Sequence, residues 1–164
     1  MVLNETSLGE ERNREKSFTA KGVHHFGITV RDMKKSFEWY STMFGLRTGP
    51  VNHGEGKALA DAVQVEGTEL SFSMIDIGGT RIEFLEYHNP RGKDFDLKNG
   101  DVGATHICLQ IDDMDVAYNT LLERGAVFNA PPVTLTDGEL AGSRWANLRD
   151  PDSIQLEIWA SPES

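Results

Sequence analysis

The sequence predicts an α+β fold made of two copies of one strand–helix–strands module, and three observations carry that expectation. The stretch His25-Phe-Gly-Ile-Thr-Val-Arg-Asp32-Met33 aligns without a gap on His106-Ile-Cys-Leu-Gln-Ile-Asp-Asp113-Met114, an offset of 81 residues. Each stretch alternates polar and apolar residues with the period of a half-buried strand, then passes into a helical pattern. Finally, one glutamate stands near the end of each repeat, Glu83 in the first and Glu157 in the second.

The elements follow from the residues in order. Residues 1–20 are polar and charged and read as an extension ahead of a single domain over 21–160, with Ser7 and Glu10 as a weak capping box. From Val23 to Val30, Phe26, Ile28 and Val30 share one face of a strand, while His25, Gly27 and Thr29 share the other. Asp32 then caps a helix whose apolar stripe is Met33, Phe37, Tyr40 and Phe44, and Gly45 ends it. Strands are expected at Ala58–Val65 and Leu70–Ile77, and Gly78-Gly79 turns the chain into a strand over Thr80–Tyr87. In that strand Glu83 shares a face with Leu85 and Tyr87, away from Ile82 and Phe84. This first module spans 21–88.

The second module, 104–160, repeats the plan. His106, Cys108 and Gln110 alternate with Ile107, Leu109 and Ile111, Asp113 caps, and Met114, Ala117, Tyr118 and Leu121 form the helix stripe before Gly125. Strands over Arg144–Leu148 and Ile154–Trp159 flank the turn Asp150-Pro-Asp-Ser153. Glu157 and Trp159 face away from Ile154, Leu156 and Ile158, so Glu157 parallels Glu83. Residues 89–103 and 130–142, rich in glycine and proline, read as loops.

Bulk properties narrow the function. At 164 residues, 38% hydrophobic and 26% charged, the chain has the composition of an ordinary globular protein, with no run near the roughly 20 apolar residues of a membrane span. The N-terminus lacks the apolar core of a signal peptide, so a cytoplasmic location is expected. The single cysteine, Cys108, excludes an intrachain disulfide and a cysteine-rich zinc site. A net charge of -10 without a basic stripe argues against nucleic acid and for a small-molecule or protein partner, of which a small-molecule substrate is the one expected here.

A lone histidine on a strand is ordinarily structural. Here two histidines and two glutamates occur as two equivalent pairs, all on the faces opposite the aliphatic residues, and together they form an N2O2 set suited to Zn, Ni, Co, Mn or Fe(II). If the modules pack about a pseudo-twofold axis, one half-site from each completes a site for one divalent ion.

These residues resemble the vicinal oxygen chelate superfamily, which includes glyoxalase I, methylmalonyl-CoA epimerase, extradiol dioxygenases and fosfomycin or bleomycin resistance proteins. The resemblance covers about Gly22 to Ala160. It rests on His-His25-Phe-Gly-Ile-Thr-Val-Arg-Asp with Phe37-Glu-Trp-Tyr, on Arg81-Ile-Glu83-Phe-Leu-Glu, on Ala-Thr-His106-Ile, and on Arg-Asp150-Pro-Asp-Ser-Ile-Gln-Leu-Glu157. It implies two paired βαβββ modules forming a curved mixed sheet around a metal-binding cup, with His25, Glu83, His106 and Glu157 as ligands. His24 and Glu86 have the wrong parity and are set aside. Ser153 replaces the glycine that many relatives carry in that turn.

The activity implied is that of a glyoxalase I-type lyase or isomerase, acting on a small carbonyl, hemithioacetal or thioester through a metal-stabilised enediolate or enolate. The catalytic carboxylates are then Glu157, the preferred base, and Glu83. Thr29, Gln110, Tyr87, Trp159 and Arg144 are candidates to line the cup. An Fe(II) extradiol-type dioxygenase and a non-catalytic drug-binding resistance protein are the alternatives; the fourth ligand argues against the first and the intact ligand set against the second. The resemblance extends to homodimers, some with the site built across chains, and the apolar helix stripes leave monomer and dimer both open.

Overall fold

The computed structural model describes residues 19–162, so the expected extension over 1–20 and its Ser7–Glu10 cap lie almost wholly outside the described residues. The first module runs β1 (Phe26–Thr29), α1 (Met33–Phe44), β2 (Asn52–Glu55), α2 (Lys57–Val63), β3 (Glu69–Ile77) and β4 (Thr80–Asn89). The second runs β5 (His106–Gln110), α3 (Met114–Glu123), β6 (Val127–Phe128), β7 (Val133–Thr134), β8 (Arg144–Arg149) and β9 (Gln155–Ala160). Each module builds its own mixed sheet, β1-β4-β3-β2 and β5-β9-β8-β6, with β7 paired to β8. In both, the first strand lies parallel to the last, which sets Gly27 beside Glu83 and Cys108 beside Glu157.

Local chemistry explains the helices. The Asp32 carboxylate accepts the Lys35 N–H at 3.0 Å, and Gly45 closes α1 at φ 67° by donating its N–H to the Ser41 carbonyl. Asp113 does the same work for α3, accepting from Asp115 and Val116 at 2.9 and 3.0 Å. Ser153 holds φ 67°, the left-handed conformation in which glycine is strain-free, so the turn keeps its shape at some backbone cost.

Three expectations are corrected. The stretch expected as a strand over Ala58–Val65 is helix α2, because three alanines and a leucine favour helix and Lys57 bonds Asp61 one turn on, at 2.6 Å. The strand preceding β3 is instead β2, where Gly54 leaves room for α2: a Cβ there would stand 3.0 Å from Leu59 Cδ2. The loop over 130–142 contains the two-residue strand β7, held to β8 by main-chain pairing that side-chain pattern does not reveal.

The aliphatic faces of both sheets enter one core. Ile75, Ile82 and Phe84 from the first sheet and Leu148, Leu156 and Ile158 from the second are fully buried in a single cluster with Tyr40 of α1. Phe84 meets Tyr40 and Phe37 edge to face, at centroid separations of 5.0 and 5.7 Å. Polar bonds tie the modules around this core: Arg124 Nη1 donates to the Met43 carbonyl at 2.6 Å, and the Arg31 N–H donates to Asp152 Oδ2 at 2.8 Å.

Candidate metal centre

With Ile82 and Phe84 of β4 and Leu156 and Ile158 of β9 buried in the core, and Phe26 at the start of β1 left 51% exposed, alternation sends the intervening Glu83 and Glu157 to the other face. There His25 Nε2 stands 3.3 Å from Glu83 Oε2, and His106 Nε2 stands 3.9 Å from Glu157 Oε2. The glutamates are mostly covered, at 17% and 15% side-chain exposure, while the histidines are open, at 36% and 55%. Each pair is therefore a carboxylate rooted in the sheet with an imidazole nitrogen turned toward it. Two Nε2 and two carboxylate oxygens match the donor set that a borderline divalent ion takes.

The four do not converge within one chain. Among the described residues no three His, Cys, Asp or Glu side chains are placed to share an ion. The modules meet through their core sides and through α1, and β1, which starts just after His25, and β5, which starts at His106, are the outermost strands of their sheets.

Neighbours distinguish the two half-sites. His25 Nδ1 lies 2.8 Å from His24 Nδ1, which leaves His25 Nε2 as the nitrogen facing Glu83. His24, expected to point into the apolar face, is exposed, because β1 begins only at Phe26 and strand parity does not reach back to it. Glu86 is on the opposite face from Glu83, as expected, and accepts the Met33 N–H at 2.9 Å to anchor the start of α1. Cys108 flanks Glu157; partial burial first, and then the neighbouring Glu157 carboxylate, push its thiol up to about 12. It remains a protonated donor beside that carboxylate.

Of the candidate lining residues, Thr29 and Tyr87 border a cleft of about 460 Å³ with Arg31, Asp94 and Ser153. Arg31 Nε donates to Asp94 Oδ1 at 3.0 Å and Nη2 to the Gly92 carbonyl at 2.9 Å, so it straps the 92–97 loop over this cleft. Gln110 and Trp159 stand side by side on the Glu157 face. Arg144 is a correction: it shares parity with Ala146 and Leu148, and forks onto Asp115 of α3 at 2.8 and 2.9 Å.

Sequence reasoning also missed a group on β8. Asn147 pairs with Glu157, and Arg149 with Gln155, so all four share the Glu157 face. Asn129 joins them, donating to Gln155 Oε1 at 2.9 Å and accepting from Arg149 Nε at 3.0 Å. The signal was available: Asn147 and Arg149 alternate with Ala146 and Leu148.

A family model described as the Glyoxalase/Bleomycin resistance protein/Dioxygenase superfamily matches residues 22–158. A relative from Actinomyces sp., 2-epi-5-epi-valiolone epimerase, is 30% identical over 144 residues, covering 85% of this chain and 79% of that protein. The mitochondrial methylmalonyl-CoA epimerase of Bos taurus is 25% identical over 107 residues, 62% of this chain, and the match spans 53% of that protein's length. In fold, the chain is similar to a glyoxalase family protein from Bacillus cereus, with TM-score 0.71 at 16% identity over 89% of this chain and 97% of that one. It is also similar to the fosfomycin resistance protein FosX of Listeria monocytogenes, crystallised with Mn(II) and sulfate, with TM-score 0.56 at 16% identity over 87% and 94% of the chains.

Proposed function

The chain belongs to the Glyoxalase/Bleomycin resistance protein/Dioxygenase superfamily, and we propose that within it the protein is a metal-dependent epimerase acting on the carbon next to a carbonyl. The single observation that carries this reading is the repeated His–Glu pair: 3.3 Å on one sheet, 3.9 Å on the other, on equivalent strands. Two relatives named as epimerases support the reaction class over a glyoxalase-type lyase.

His25, Glu83, His106 and Glu157 are the proposed ligands. Since one chain holds two half-sites apart, we place the complete centre between two chains, with the pair from one first module facing the pair from the partner's second. A divalent ion bound there supplies Lewis-acid polarisation of the substrate carbonyl, which acidifies the adjacent C–H. The carboxylates handle the proton: Glu157 takes it from one face of the carbon and Glu83, loaded with a proton from solvent, delivers that one to the other face, so the centre inverts; Glu157 then gives its proton to solvent and no net proton is gained or lost. The cover over both glutamates limits their contact with water.

The test is α-proton exchange. Metal-loaded protein in D2O is incubated with 2-epi-5-epi-valiolone, and separately with methylmalonyl-CoA, and deuterium at the carbon next to the carbonyl is followed by NMR. Exchange with one of them, lost on chelation and reduced about 10²- to 10⁴-fold in Glu157→Gln, is the expected result. Full metal occupancy with no exchange in either overturns the reading.

A further inference from the structure

We propose that Asn147 sets the substrate specificity of this centre by binding a hydroxyl group of a hydroxylated cyclic ketone, an inference that rests on the epimerase reading above. Asn147 lies directly across the strand pair from Glu157. At the corresponding place in the first module, the residue across from Glu83 is Met74, followed two residues away on the same face by Phe72. The two walls of the proposed cup thus differ: hydrocarbon beside one carboxylate, an amide beside the other.

Asn147 is also the amide left without internal work. Asn129 Nδ2 donates to Gln155 Oε1 at 2.9 Å, and Asn129 Oδ1 accepts from Arg149 Nε at 3.0 Å. Asn147 is half-buried, and its Oδ1 is shut off from solvent without a hydrogen-bond partner among the described residues. Buried amide oxygens are normally paired, so an unpaired one next to a candidate base points to a partner that arrives with the substrate. An amide both accepts from and donates to a hydroxyl, and a half turn about its last side-chain bond exchanges the two ends. A ring ketone with a hydroxyl on the flank of the reacting carbon supplies that partner, whereas the acyl group of a simple thioester has none and leaves the amide unpaired. A site built to bond a hydroxyl discriminates strongly against analogues that lack it.

The test separates binding from turnover. Calorimetric titration of metal-loaded wild type, Asn147→Leu and Asn147→Ala with 2-epi-5-epi-valiolone measures Kd, thermal unfolding checks that each variant is folded, and α-proton exchange is followed in parallel. Asn147→Leu preserves side-chain size and removes the polar end; Asn147→Ala covers the case in which leucine does not fit. Expected is a 10- to 100-fold weaker Kd in a folded variant with metal content unchanged, and in exchange assays a rise in KM larger than the fall in kcat. Unchanged Kd in a folded variant overturns the proposal, as does absence of binding to wild type. Weakened binding in the variants, with no exchange by metal-loaded wild type on either this compound or methylmalonyl-CoA, keeps the Asn147 assignment and overturns the epimerase reading.

Discussion

The Tyr40 hydroxyl donates to Asp150 Oδ2 at 3.2 Å, joining α1 of the first module to the turn between β8 and β9 of the second. Both residues are buried, Tyr40 completely and Asp150 to 6% exposure. Burial is the main cause that raises the Asp150 carboxyl from 3.8 to about 6, against the N–H groups of Ile154 and Asp152 that favour its charged form. Because the folded value lies above the unfolded one, the folded state binds the proton more tightly. Stability is therefore greatest below about pH 4 with respect to this group and declines as pH rises to about 6. The gap corresponds to about 3 kcal/mol at about 1.4 kcal/mol per pH unit. Urea unfolding of Asp150→Asn and wild type from pH 4 to 7 measures it: the stability difference between them should shift toward the variant as pH rises. A constant difference would show that Asp150 does not titrate in this window.

Phe84 has no exposed surface and makes aromatic contacts to both Phe37 and Tyr40. Phe84→Ala removes a fully buried ring from between β4 and the aromatic residues of α1. The expected cost is about 3–5 kcal/mol of folding stability, read from the urea midpoint at constant slope.

Chain mixing tests where the proposed metal centre is completed. His25→Ala and His106→Ala should each bind no stoichiometric metal while keeping the fold seen by circular dichroism. Mixed and reassembled, they form heterodimers in which one centre has lost both histidines and the other has lost neither. Elemental analysis should then recover about one ion per heterodimer, with exchange activity to match. Recovery of none would place the four ligands within single chains, contrary to the reading above.

The elements legible in the sequence are those governed by near neighbours. Asp32, Gly45, Asp113 and Gly125 mark helix ends through bonds and dihedral preferences spanning a few residues, and the alternation around Glu83, His106 and Glu157 fixes which face each takes. Ala58–Val65 misled because a short apolar stretch serves either a helix or a strand, and the Lys57–Asp61 bond and the gap at Gly54 decide for the helix. His24 misled because parity holds only inside a paired strand, and pairing begins one residue after His25.

By itself the sequence determined the duplication, the two repeated His and Glu positions and the face of the sheet on which each glutamate lies, since those depend on periodicity along the chain. Tertiary structure alone decided how the halves relate. The aliphatic faces of both sheets close on one core, Arg144 is drawn to Asp115 of α3, and Asn147 is left unpaired across from Glu157. The distance between the two His–Glu pairs follows from that packing, because contacts between residues far apart in the chain are set by which surfaces exclude water together.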